Sequence, residues 1–244
     1  MAMKKMSSTT HDTDQNVIIY DSDSPISARQ SDAVHVIPHV IFVCKSNTCR
    51  SQMAEGWAKD WIRKRLETKH RSGTCSDPIL LRKELSYFTS LVASAALDSC
   101  SVYDEVPIVK EECSKCCEGM CETPALRKRV KEKAIKTMQE LGVEMSSSYP
   151  KTIDEVLYSS IQTPEMTSTY LYSPVVEKLI IMCDCNTPKD AIISQAKSVE
   201  EWQIDAPTAA VKAGEVTAYR RVSLEIKLRV DDLMETMFGD EINK

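Results

Sequence analysis

No apolar run in this 244-residue sequence approaches the ~20 residues that cross a bilayer; Val175-Val176, followed after two charges by Leu179 to Cys183, is among the longest, so no membrane partner is expected. Excess positive charge is missing too. The chain has 31 Lys and Arg against 36 Asp and Glu, a net charge of −5. That balance removes the broad basic field that would hold nucleic acid or anionic lipid and leaves room for a local basic pocket only. The opening stretch MAMKKMSSTTHDTDQN lacks the unbroken apolar segment of a secretory signal, and Asp12 and Asp14 are foreign to an organellar transit peptide, so a cytoplasmic protein is expected. The four histidines (His11, His35, His39, His70) all fall in the first 70 residues and none has ligand spacing with a cysteine, so they are assigned no chemistry. No internal repeat is visible.

Hydrophobic residues make up 42% and charged residues 27%, enough for one globular core at a length slightly above a typical domain. Ten cysteines in a chain without a secretory signal point to thiol chemistry or metal binding rather than a disulfide scaffold. Residues 1–33 carry too little apolar surface to offset ordering entropy and read as an arm. Residues 34–244 read as one domain with polar or irregular surface insertions near 67–88, 99–123 and 159–174.

Within that domain Val36 to Val43 is a β-branched run that reads as a buried strand ending at Cys44. Ala54, Trp57, Ala58, Trp61 and Ile62 then recur at helical spacing. Leu91 to Ala95 and Leu179 to Cys183 are further buried strands. Leu126, Val130, Ala134, Met138 and Leu141 mark a helix stopped by Gly142, Thr152 to Tyr158 a brief one, and Tyr219 to Met237 a long one stopped by Gly239. Alternating strands and helices predict an α/β fold with a parallel sheet, whose ligands bind beyond the strands' C-terminal ends, where Cys44 and Cys183 both fall.

The central feature is the loop Cys44, Lys45, Ser46, Asn47, Thr48, Cys49, Arg50, Ser51. A loop curling onto a helix N-terminus aims backbone N–H groups inward, and with the helix dipole it holds a tetrahedral oxyanion without a metal. Arg50 adds a planar fork for two oxygens. The same field favours a thiolate over a thiol, which makes Cys44 the candidate nucleophile. C-x5-R alone recurs by chance, and the alternative is a buried strand-end thiol beside a surface cation. The strand before it and the helix after it supply the context the motif needs.

VIFVCKSNTCRSQMAEGWAKDW resembles the start of the low-molecular-weight phosphatase and arsenate reductase superfamily. Ser94-Ala95-Ala96, and the helix 124–142 followed by Val143-Glu144-Met145-Ser146, resemble later segments. LIIMCDCN and VEEWQIDAP resemble the cyanobacterial-type arsenate reductases, which carry a C-x-C at that strand end. The likeness covers about 150 residues and skips the arm and the insertions. It implies a three-layer αβα sandwich around a four-stranded parallel sheet. It also implies that Cys44 attacks the oxyanion held by Arg50, with Asn47 and Ser51 bracing the loop. Cys183 or Cys185 would then resolve the adduct, and arsenate would be the substrate, with phosphate or sulfate as mimics. The reductant would be glutathione with glutaredoxin or else thioredoxin, the C-x-C favouring the former, with no tightly bound cofactor.

The family's general acid precedes a proline, but here that position is Ala206 before Pro207, so Asp205, one residue early, is the only nearby carboxylate. Ala96 also stands where the family usually has glycine. Asn47, Glu55, Ser94 and Asp154 match a monovalent-cation site of some relatives, against ordinary solvated or capping roles. Cys113, Cys116, Cys117 and Cys121 are too compact for two zinc knuckles. Zinc or arsenite binding, a redox relay to Cys44, and thiols with no structural role stand open for them. The competing functions are a low-molecular-weight protein tyrosine phosphatase and a non-catalytic oxyanion or metal sensor.

Overall fold

The computed structural model describes residues 37–73, 77–103, 127–158, 175–183 and 190–243, all within the unit His35–Lys244. The arm 1–33, the stretch 159–174, most of 99–123 including Cys113, Cys116, Cys117 and Cys121, and Cys185 lie outside the described residues.

In chain order the elements are β1 (Val40–Cys44), α1 (Arg50–Ser72), α2 (Pro78–Ser90), β2 (Val92–Ala96), α3 (Glu132–Glu140), α4 (Ile153–Tyr158), β3 (Val176–Ile181), α5 (Asp190–Ile193), β4 (Ala196–Glu201), α6 (Pro207–Lys212) and α7 (Ala218–Asn243). The strands form one parallel sheet in the order β2-β1-β3-β4. Strand β1 is buried along its whole length, as a central parallel strand covered on both faces must be.

Successive β1 side chains alternate between two cores. Val40, Phe42 and Cys44 join the core under α1, α3 and α7. Ile41 and Val43 join a smaller one with Leu179, Ile181 and Leu157 of α4. The sheet is thus sandwiched between helical layers. Helix α1 buries Met53, Ala54, Trp57, Ala58, Ile62 and Leu66 along one stripe against the Val222, Ile226, Val230 and Phe238 stripe of α7. The indole N–H of Trp57 donates to the Ser223 carbonyl at 3.1 Å across that seam. No helix among the described residues is long and apolar enough to cross a membrane.

Several elements differ from the sequence reading. The first strand starts at Val40, not Val36. The polar stretch 67–88 is mostly helical: α1 runs on to Ser72, and Asp77 caps α2 by accepting from the Ile79 N–H at 2.8 Å, with Pro78 in the first turn. Helix α3 begins at Glu132 rather than 124, because residues 127–131 are spent on tertiary pairing. Arg127 bridges Tyr103, and the Lys128 and Lys131 N–H groups donate to the Val102 and Thr48 carbonyls. Val130 is buried without being helical.

Gly142 does stop α3, with φ +83°. Gly239 does not stop α7, which continues to Asn243 because Phe238 and Ile242 both have core to fill. Strand β4, AKSVEE, shows no apolar run. It is an exposed edge strand, held by its ladder and by the cross-strand ion pairs Lys197–Glu177 and Lys178–Glu200.

Candidate active site

Cys44 ends β1 and Arg50 opens α1, so residues 45–49 form the turn that connects them. Asn47 sits at its tightest point with φ 52°, a left-handed conformation that asparagine tolerates better than most residues. The turn's carbonyls point outward: Cys44, Lys45 and Thr48 accept from the N–H groups of Leu97, Asp98 and Lys131. Among the described residues, none of the N–H groups of Lys45, Ser46, Asn47, Thr48 and Cys49 has a protein acceptor. A ring of free donors at the start of a 23-residue helix is the arrangement that holds a tetrahedral anion.

A hydrogen-bond line runs inward from the first sulfur. Cys44 Sγ lies 2.9 Å from Ser51 Oγ, and both are buried. Asn47 Nδ2 donates to Ser51 Oγ and to Ser94 Oγ, each at 2.9 Å, and Ser94 donates to Glu55 Oε2 at 2.5 Å. Asn47 Oδ1 accepts from Gln52 Nε2 at 2.7 Å and from the Lys151 N–H at 2.8 Å.

The structure therefore brings together Asn47, Ser94 and Glu55 of the anticipated cation site, but not Asp154. The Glu55 carboxylate meets the ammonium groups of Lys151 at 2.8 Å and Lys59 at 2.5 Å, so the charge a monovalent cation would balance is balanced by the chain itself. Burial alone would push the Glu55 carboxyl up, but Lys151 and then Lys59 outweigh it and hold the group below its ordinary value.

A carboxyl depressed in the folded state contributes stability above its unfolded value of ~4.3, and that contribution is lost as pH falls through the folded value. Lys151→Met strips one ammonium from a buried carboxylate and is expected to cost about 3 kcal/mol at neutral pH. Urea unfolding at pH 7 and pH 4 checks this: the deficit should shrink at the lower pH.

Cys49 caps α1 without a side-chain cap bond. Its thiol is pushed up to about 12 by burial first and Cys44 second, while Lys131 and Arg50 pull it down. Arg50 Nη1 donates to the Ile204 carbonyl at 2.7 Å, tying the loop to the segment before α6. Asp205 is turned away: its side chain is 76% exposed and lies 3.5 Å from Arg221.

Cys183 follows β3. Pairing of Val43 with Ile181, and the Met182 N–H donating to the Val43 carbonyl, put it past the same C-terminal end of the sheet as Cys44. Cys183 is disulfide-bonded, whereas Cys44 and Cys49 are free, so neither is its partner. Gln52, Lys59, Lys131 and Lys151 are part of this site without having been anticipated. Gln52 lies one turn into the helix, but nothing local to Lys131 or Lys151 signals their contacts with the loop.

Residues 39–79 match the family model for low molecular weight phosphotyrosine protein phosphatase. No curated protein matches the chain's sequence. Among solved structures, an arsenate reductase in a phosphate-binding state is similar at 20% identity, covering 82% of this chain and 98% of its own, with a TM-score of 0.47. An arsenate reductase from Archaeoglobus fulgidus is also 20% identical, covering 80% and 98%, at 0.41. Vibrio vulnificus Wzb in complex with benzylphosphonate is 13% identical, covering 83% and 100%, at 0.44.

Proposed function

We propose that this chain is an arsenate reductase. The observation that carries the reading is the placing of two cysteines of different redox state at the C-terminal ends of adjacent strands: free Cys44 inside the anion loop, and disulfide-bonded Cys183 just beyond β3. A phosphatase of this kind uses the same loop with a general acid and needs no partner thiol. A reductase needs a thiol able to take up the oxidising equivalents.

In the proposed sequence arsenate sits on the N–H groups of 45–49 with Arg50 on two of its oxygens, after Arg50 leaves the Ile204 carbonyl. The Cys44 thiolate attacks arsenic, and one oxygen leaves as water after gaining protons. Once glutathione has reduced the Cys183 disulfide, the thiolate of Cys183 or Cys185 attacks the Cys44 sulfur. The S–As bond breaks, its electron pair stays on arsenic, and arsenite departs as As(III), leaving a disulfide that passes between the relay cysteines. Two electrons from glutathione, through glutaredoxin, reset the thiols. A hydroxyl leaving arsenic demands less acid assistance than an alkoxide leaving phosphorus, so an exposed Asp205 is compatible with this chemistry.

The second reading, a low-molecular-weight protein tyrosine phosphatase, is favoured by the family-model match over residues 39–79. It requires Asp205 to turn inward. Purified protein given arsenate with glutathione, glutaredoxin and NADPH should oxidise NADPH only when arsenate is present. Turnover of an aryl phosphate without arsenate-dependent oxidation would establish the second reading instead, and inactivity toward both would point to a sensor.

A further inference from the structure

Lys131 breaks two local rules. It is the N-cap of α3, a position that favours a side-chain acceptor, yet its side chain makes no cap bond. It also sets a positive charge at the positive end of a helix, where the dipole repels it. Lys131 is only partly exposed, and among the described residues it has no carboxylate within ion-pair distance; its ammonium donates to the neutral Thr208 hydroxyl at 2.8 Å. Such conflicts are tolerated where a function compensates for them.

The surroundings indicate what compensates. The Lys131 N–H donates to the Thr48 carbonyl at 2.9 Å, so the residue is pinned to the back of the anion loop. Its charge reaches the Cys49 thiol within that loop, as does the charge of Arg50. Thr208 lies in the first turn of α6 and within 3.4 Å of the Tyr219 hydroxyl. The side chain thus spans from α3 to α6 beside the loop, held by one neutral hydrogen bond that it can exchange for a charged acceptor. Arg50 stands the same way, spending one nitrogen on the Ile204 carbonyl. Both cations are therefore parked on neutral oxygens of residues 204–208.

We propose that Lys131 is a second cation for the bound oxyanion, acting with Arg50 so that the loop selects the doubly ionised tetrahedral anion over the singly ionised one. This rests on the reading of residues 44–51 as an oxyanion loop but not on which reaction follows. The residue acts on charge, and a Lys has no planar fork, so it adds discrimination by ionisation state rather than by shape.

The test is protection of Cys44 from iodoacetamide by inorganic phosphate, read by mass spectrometry of the Cys44 peptide. The ratio of rates with and without phosphate is taken at pH values below and above the second ionisation of phosphate. In the wild-type chain protection should strengthen as phosphate becomes a dianion. In Lys131→Met the apparent dissociation constant for the dianion should rise about tenfold, with little change for the monoanion, and Lys131→Arg should restore most of the difference. Thermal melts establish that each variant is folded. Equal wild-type and Lys131→Met curves, an equal loss at every pH, or an unfolded Lys131→Met together with Lys131→Arg lacking the pH-dependent gain, overturns the proposal. Absence of protection in the wild type overturns the loop reading itself, which separates the two failures.

Discussion

Cys44→Ser is expected to lower arsenate turnover by at least about 10⁴-fold, the loss typical of removing a covalent nucleophile. Serine matches the thiol in shape and fits beside Ser51, so the buried end of β1 keeps its packing. An alcohol is a poor nucleophile at neutral pH, and even an oxygen-linked adduct has no sulfur for a second thiol to attack, so the two electrons have no path to arsenic. The N–H groups of 45–49 and Arg50 are untouched. Phosphate should therefore raise the melting temperature of Cys44→Ser about as much as that of the wild type. Loss of turnover with ligand stabilisation kept places the defect in chemistry. Substantial remaining turnover would remove Cys44 from the mechanism.

Cys183→Ser distinguishes the reductase from the phosphatase. Steady-state arsenate reduction should fall by about 10²–10³-fold, because with one relay cysteine gone the Cys44 adduct, or the disulfide that Cys185 forms with Cys44, waits for a thiol from solution. Phosphate binding and any aryl phosphate hydrolysis should be unchanged, since neither needs the second sulfur. The variant also loses the Cys183 disulfide, so rates are compared well below the variant's own melting temperature. Unchanged arsenate turnover would make Cys183 a structural cysteine.

The part of the site legible in the sequence is the part made by consecutive residues. A β-branched run, a short polar turn and a helical stripe specify β1, the loop and α1 within one stretch of chain, and the loop's chemistry follows from that geometry. Contacts across the fold left no local signal. Lys151 reaches Glu55 across 96 residues, and Gln52 reaches the Tyr149 carbonyl across 97. Asp154 enters the expected cation site only by likeness to some relatives, whereas the fold brings the ammonium of Lys151 to Glu55 instead. Likewise β4 was invisible because an edge strand can be held by its ladder and by charge pairs, with no apolar alternation to reveal it. The apolar spacing overextends α3 because Val130 keeps its place in the core where the backbone is not helical.

The amide of Asn47 has both of its hydrogens and both sides of its oxygen engaged. Rotated by half a turn, it would set oxygen against two hydroxyls and its hydrogens against two other donors, so only one orientation is admissible once the chain has folded. Ser51, already receiving a hydrogen from that amide, is biased to pass its own toward the sulfur. The electrical polarity of the nucleophile's surroundings is therefore decided by one buried carboxamide, well before any anion arrives.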